Sequence, residues 1–202
     1  MPPLSPPVVR RATLADVPAL APVLARAFDD DPIACWTLPP DALRARLLER
    51  IFTLRLRQTL RHDEVWTVAD GSAAALWLPP HRWKTSARDD LELTRALLHP
   101  RLLPRLPLIA HGMLGIERRH PRGPLHWYLA VLGTDPAAQG RGSGGALLRT
   151  MLDRCDEDGV GAYLESSKES NVAYYARFGF RVTEVTTLPR GPSAWLMWRD
   201  PR

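Results

Sequence analysis

The chain has only two cysteines, Cys35 and Cys155, far apart and without the spacing of a metal knuckle. Neither a disulfide framework nor a zinc module organises it, and the two fit free thiols in a reducing compartment. No uncharged run reaches the ~18 apolar residues of a membrane-spanning helix. The opening MPPLSPPVVRR has no basic segment followed by an apolar one, so a secretory signal is not expected. Cytoplasm is the default location. Lysine is scarce, and nearly all of the 27 basic residues are arginine.

What remains is an ordinary globular composition. The 202 residues are 45% hydrophobic and 24% charged. That suffices for one domain with its own core. Twenty prolines predict several broken loops. The net charge of +5 attracts anions, either nucleic acid or a polyphosphate cofactor. Arg46, Arg50, Arg57 and Arg61 share one side of a predicted helix and read as a solvated face. Without interleaved aromatics or a recognised binding fold, no nucleic-acid partner is expected. No membrane partner is expected either.

Residues 1–7 hold four prolines and read as a loose tail before a single domain, 8–202. A short strand is predicted at 8–11. Thr13 and Asp16 form a capping signal for a helix over 14–28, where Val17, Leu20, Leu24 and Phe28 recur at helical spacing. Asp31-Pro32 forbids its continuation. Asp41 can cap a second helix reaching Leu60. Strands follow at 64–69 and 74–78 around an Asp70-Gly71 turn. Residues 79–124 contain a helix near Leu91, Arg95 and Leu98, and prolines at 100, 104, 107, 121 and 124 are expected to cut the rest into short pieces. Such an excursion is more often functional than idle.

The strongest strand is 127–134, WYLAVLGT, whose apolar run suggests cover on both faces. A glycine-rich segment leads into a helix at 142–158, ended by Gly159. A strand at 162–165, a short helix at 171–178 closed by Gly179, and strands at 180–187 and 194–198 complete the chain. Trp66 and Trp77 read as core; Trp83 is core or pocket wall.

Gly140, Gly142, Gly144 and Gly145 fall at the start of a helix, where unpaired amides and the dipole suit phosphate. Arg141 adds a positive charge. The loop is not a Walker A loop, because Ala146 and Leu147 stand where Lys-Ser/Thr is required. Gly140, Gly142 and Gly145 satisfy G-x-G-x-x-G, with Glu165 at the end of the next strand. Against a dinucleotide fold, the six residues from Thr134 to Gln139 precede Gly140, where that fold turns at once. A ligand-free turn is a further reading. The third pattern is Q-x-x-G-x-G, from Gln139, Gly142 and Gly144.

On that third pattern the sequence resembles the GNAT superfamily of acyl-CoA N-acyltransferases. HWYLAVLGTDPAAQGRGSGGALL is similar to its central strand, pyrophosphate loop and helix, and NVAYYARFGF to its second signature. The likeness extends more weakly over RATLADVPAL and AFDDDP. Within the superfamily, YLESSKESNVAYYARFGF and the closing G-P-x-x-W hairpin resemble puromycin-type antibiotic acetyltransferases.

The resemblance implies an α+β fold. A mixed, mostly antiparallel sheet of six to seven strands would splay at its central strand between flanking helices. Residues 127–187 would form the acetyl-CoA core and 79–124 the acceptor side. The backbone at Leu132, Gly133 and Thr134 would meet the pantetheine arm and polarise the thioester carbonyl. Amides of Gly140, Arg141, Gly142, Ser143, Gly144 and Gly145 would cradle the pyrophosphate, braced by Gln139, and Asn171 would hydrogen-bond the cofactor. Tyr175 would protonate the departing thiolate, while Tyr174 would point elsewhere. Glu165 would deprotonate the amine, directly or through water, with His126 as an alternative base or a structural residue. Phe28, Asp30, Asp31 and Trp36 would seat a small cationic amine, Asp30 and Asp31 alternatively being solvated turn residues. No metal is implied. The expected reaction is acetylation of a primary amine on a small molecule, such as an antibiotic or other xenobiotic, by a monomer or homodimer. A protein N-terminus or lysine as acceptor, or an inactive coenzyme A sensor, are the alternatives.

Overall fold

One strand organises the sheet. The apolar run lies in β4 (His126–Thr134), between β3 (Ala73–Leu78) and β5 (Gly161–Ser166). With β1 (Val9–Arg11), β2 (Val65–Val68), β6 (Arg181–Thr187) and β7 (Ser193–Arg199), the order is β1-β2-β3-β4-β5-β7-β6. Only β4 and β5 run parallel; the other neighbours are antiparallel. The computed structural model describes residues 7–39, 42–84 and 86–202. Most of the expected tail and the expected cap Asp41 lie outside the described residues.

Both sheet faces are covered, as an unbroken apolar strand demands. On one face α6 (Ser143–Glu157) and α7 (Ser170–Ala176) pack. Leu147, Leu148, Met151 and Leu152 of α6 meet Trp127, Leu129, Ala162 and Leu164 there. On the other face, α1 (Val17–Ala27) and α3 (Ala42–Leu60) cover one half through Leu20, Leu24, Leu47 and Leu56 against Ala74, Leu76 and Val131. The second half is roofed by α2 (Pro32–Thr37) and α5 (Leu106–Glu117), whose Trp36 and Ile109 join Tyr163, Leu196 and Trp198. The helix α4 (Ala87–Leu97) is tied to the end of α3 by the Arg61–Asp89 ion pair, 2.5 Å.

Two expectations need correction. The excursion 79–124 is not a string of short pieces: α5 runs for 12 residues with a proline in its first turn. Proline lacks only an amide that has no partner there anyway. Likewise Asp31-Pro32 stops α1 but starts α2. The Asp31 carboxylate accepts from the amides of Ile33 and Ala34, both at 2.9 Å, with Pro32 in the first turn. The Thr13–Asp16 box forms as read, but it caps a 3-10 turn, Leu14–Asp16, which leads into α1. Among the described residues no helix is long and apolar enough to cross a membrane.

Candidate active site

The central pair of strands separates partway along. β4 and β5 pair from His126–Gly161 to Leu129–Leu164 and no further. β4 meanwhile stays bonded to β3 as far as Ala73–Thr134. Between Leu76–Val131 and Trp77–Leu129, Ala130 is an extra residue, a bulge that bends β4 where it leaves β5. One edge of Leu132, Gly133 and Thr134 therefore faces a gap instead of a strand. Unpaired backbone of this kind can receive an extended ligand as if it were another strand.

The gap opens into a cleft of about 820 Å³. Its floor is Leu132, Gly133 and Thr134. The end of α1 forms one wall, with Phe28 and Asp31, and α7 forms the other, with Asn171, Tyr174 and Tyr175. Gln139, Gly140, Gly142, Ser143, Gly144 and Gly145 close the far end. Gly133 has no room for a side chain: a β-carbon there would lie 2.6 Å from Leu24 Cδ2.

The glycine loop has the geometry of an anion cradle. Asp135 caps a short 3-10 turn, Pro136–Ala138, and Gln139 Nε2 reaches back to the Thr134 carbonyl at 3.4 Å. Gly140 and Gly142 have φ of +78° and +85°, conformations that side chains disfavour. Gly142 is the N-cap of α6, so the first amides of that helix open into the cleft without helical acceptors. Arg149 and Arg177 also line the cleft and add positive charge. Arg141 does not line it; its guanidinium donates to the Ala137 carbonyl at 3.2 Å.

Tyr175 is buried on the cleft wall, against Phe180 and Tyr174 with ring centroids at 5.9 and 5.4 Å. Burial pushes its phenol well above the usual range, with Tyr174 adding to the effect, so it keeps its proton. Tyr174 corrects another expectation, because it too lines the cleft. Its hydroxyl lies 2.9 Å from where a β-carbon on Gly144 would be.

Glu165 is not on the cleft wall. It follows Leu164, the last residue of β5 paired with β4, and points to the face opposite Tyr175. There its Oε2 accepts from the Tyr128 hydroxyl at 2.6 Å. His126, the alternative base, is buried between the Pro124 carbonyl and His120.

The expected acceptor residues divide. Phe28 and Asp31 line the cleft. Asp31 already serves the two α2 amides and also accepts from the Ser167 hydroxyl. Asp30 pairs with Lys168 at 2.6 Å. Trp36 lies off the cleft, wedged between α5 and the β6–β7 turn. β-Carbons on Gly112 and Gly191 would lie 2.7 and 2.5 Å from its ring, and its indole N–H has no partner among the described residues. Trp77 is fully buried, Trp66 packs beside the same core and Trp83 stacks on His120 at 3.8 Å. Cys155 is buried in α6 and its thiol is pushed up to about 12 by burial. Arg149, Arg177 and Lys168 were not legible as site residues. Arg149 lies one helical turn after Gly145, the one spacing that pointed toward the cleft.

The chain matches the acetyltransferase (GNAT) family over residues 72–180, from β3 through the glycine loop to Phe180. An uncharacterized N-acetyltransferase of Schizosaccharomyces pombe is 26% identical over 193 residues, which cover 90% of this chain and 77% of that one. A Corynebacterium glutamicum structure, described as histone acetyltransferase HPA2 and related acetyltransferase, superposes with a TM-score of 0.71 at 24% identity, covering 98% of both chains. The Drosophila melanogaster polyamine N-acetyltransferase, which forms N-acetylagmatine, superposes with a TM-score of 0.60 at 18% identity over 96% of this chain and 99% of that one. The splayed strands, the glycine cradle at α6 and the match across both make this chain an acetyltransferase of the GNAT family.

Proposed function

We propose that the chain moves an acetyl group from acetyl-CoA to a primary amine on a small molecule, of the antibiotic or other xenobiotic class. One observation carries the reading: the free edge of Leu132–Gly133–Thr134 runs straight into the glycine-capped start of α6. An extended amide-bearing arm fits the first, and a diphosphate fits the second. The side-chain-free cradle at Gly140, Gly142 and Gly144 supports coenzyme A as the ligand. Acetyl-CoA supplies an activated acyl group on a thiol leaving group.

The chain's own residues supply the rest. Amides of Ser143, Gly144 and Gly145 bind the diphosphate, with Arg149 and Arg177 adding charge. Asn171 on the α7 wall offers an amide to the arm. Glu165 takes the ammonium proton so that the amine nitrogen can attack. Tyr175, on the other face of the fork, holds a proton for the departing sulfur. The cover over the acceptor side supports a compact acceptor. Leu188 and Pro189 of the β6–β7 turn press on α5 near Gly112, and Gly191 presses on Trp36. The name of the Drosophila neighbour accords with an amine acceptor.

Calorimetry of the full chain with coenzyme A, then thiol release from acetyl-CoA with agmatine, tyramine, puromycin and a lysine peptide, tests the reading. Coenzyme A binding plus turnover on a small amine is the expected result. No heat with coenzyme A sinks the site, and turnover on the peptide alone sinks the small-molecule acceptor.

A further inference from the structure

A group of ionisable side chains outside the cleft lies just behind the fork, beneath α5. His120, in the loop after α5, and His126, at the start of β4, are 4% and 6% exposed. Trp83 stacks on His120 at 3.8 Å, and Tyr128 and Tyr163 meet its ring edge-on at 4.8 and 4.7 Å. Two buried imidazoles in contact are costly to maintain unless their hydrogen bonds are satisfied.

The hydrogen positions follow from groups that have only one role. His126 Nδ1 lies 2.8 Å from the Pro124 carbonyl. A carbonyl can only accept, so Nδ1 carries the proton and donates. Burial is the main force holding His126 neutral, and the proximity of His120 adds to it. Its Nε2 is therefore bare and accepts. The partner of that atom, at 3.0 Å, is His120 Nε2, which must donate. His120 Nδ1 then faces Glu165 Oε1 at 3.6 Å. The other carboxylate oxygen, Oε2, is fixed as an acceptor by the Tyr128 hydroxyl. With His120 neutral, a bare ring nitrogen confronts a carboxylate inside the protein, and one more proton between them removes the conflict. The charged groups reaching the line from neighbouring elements are Arg55 of α3, His81 after β3 and Glu184 of β6, the last paired with Arg119 at 2.8 Å.

We propose that His120 stores the proton that Glu165 removes from the acceptor ammonium. The inference rests on the amine-acetylating role of Glu165 given above and extends it. The N–H bond of the ammonium breaks, its electron pair stays on nitrogen, and the proton bonds to Glu165. That O–H bond then breaks as the proton passes to His120 Nδ1, leaving a carboxylate beside an imidazolium. After product leaves, the proton returns through Glu165 to water on its own face of the fork. His120 acts through Glu165 and touches no substrate, so it is a positioning residue. His126 fixes its tautomer by accepting from Nε2. The hydrogen bond made at one ring nitrogen sets the state of the other.

The test uses the full chain labelled with ¹³C,¹⁵N-histidine, and it needs no acceptor. His126 is expected as the Nδ1–H tautomer. His120 is expected as the Nε2–H tautomer when neutral, and its Nδ1 signal should change in Glu165→Gln, where the carboxylate oxygen facing it is replaced. A His120 found as the Nδ1–H tautomer, or one indifferent to E165Q, overturns the proposal. With the best amine of the panel, His120→Gln should lower kcat roughly ten-fold or more. It should also displace the acid limb of the kcat profile and leave coenzyme A affinity unchanged. An unmoved acid limb, with E165Q inactive, removes the store while leaving Glu165 as base. An active E165Q removes the base itself, and absence of coenzyme A binding removes the acetyltransferase site. Should H120Q fail to fold, E165Q read through the native histidines still decides the matter.

Discussion

Lys168 Nζ lies 2.6 Å from Asp30 Oδ1, and one residue away on each chain segment the Ser167 hydroxyl donates to Asp31. Two side-by-side ties thus join the α1–α2 turn to the β5–α7 loop across the mouth of the cleft. The carboxylates bridge the two walls that must stay apart by a fixed width for a ligand to enter between them. The exposed Asp30 pair contributes little by itself. The buried Asp31 carries the larger share, because it also caps α2.

Asp31→Ala should therefore destabilise the chain by about 1–2 kcal/mol through the lost cap, with a further penalty for the unpaired Ser167 hydroxyl. Asp31→Asn keeps most of the cap and should stay close to the unaltered protein. Urea denaturation of both variants checks this. Equal losses in the two would show that the charge, not the cap, is what matters.

The glycines of the loop should not be equivalent. Gly142 sits at φ +85° with open space around it, so Gly142→Ala meets backbone strain of roughly 1–2 kcal/mol and no clash. Gly144 has ordinary helical φ, and the only close atom is the mobile end of Tyr174. Gly144→Ala should fold at least as well, since alanine favours helix by up to ~1 kcal/mol. It should nevertheless weaken coenzyme A binding, because a methyl group then stands in the cradle and displaces the Tyr174 hydroxyl. Thermal melts paired with calorimetry separate the two effects. Unchanged affinity in G144A would move the diphosphate away from these amides.

Tyr175→Phe removes one oxygen from a buried ring whose packing is otherwise retained. Turnover should drop by about 10²–10⁴-fold, while coenzyme A affinity and melting temperature stay nearly constant. Tyr174→Phe should reverse the pattern, with weaker coenzyme A binding and a smaller loss in kcat. Full turnover in Y175F, with loss in Y174F, would exchange the roles of the neighbours.

That exchange shows where sequence reading reached its limit. The strand–loop–helix carrying the glycines was legible because three local signals agree there: the apolar run, the glycines and the amphipathic helix. The positions of the strands around it follow from alternation and turns, whereas their order in the sheet does not. Helical spacing alone points Tyr174 in another direction from Tyr175. The seven-residue α7, however, lies along the cleft and presents both rings to it. The helix α5 was hidden by Pro107, because proline breaks a helix inside but is tolerated in its first turn. The partnership of His120 with Glu165 spans loop and strand, and no periodicity connects residues brought together only by the folded sheet.

The last prediction concerns acid stability. Arg199, with a side chain 4% exposed, holds Asp156 in a two-pronged pair at 2.8 and 2.6 Å and also donates to the Phe178 carbonyl. The guanidinium is the main reason the Asp156 carboxyl lies below its usual 3.8. A group lowered in this way adds stability that is complete above pH 3.8 and fades as pH falls, because the unfolded chain takes up its proton first. Asp156→Asn has no such proton to lose and leaves a buried guanidinium without its counter-charge. At pH 7 the variant should be less stable by about 3 kcal/mol or more. At pH 3 the gap should narrow, because only the unaltered chain has lost the contribution. Denaturant curves of both proteins at the two pH values decide it, and a gap that stays constant would mean that lost packing around Arg199, rather than charge, is what the substitution removes.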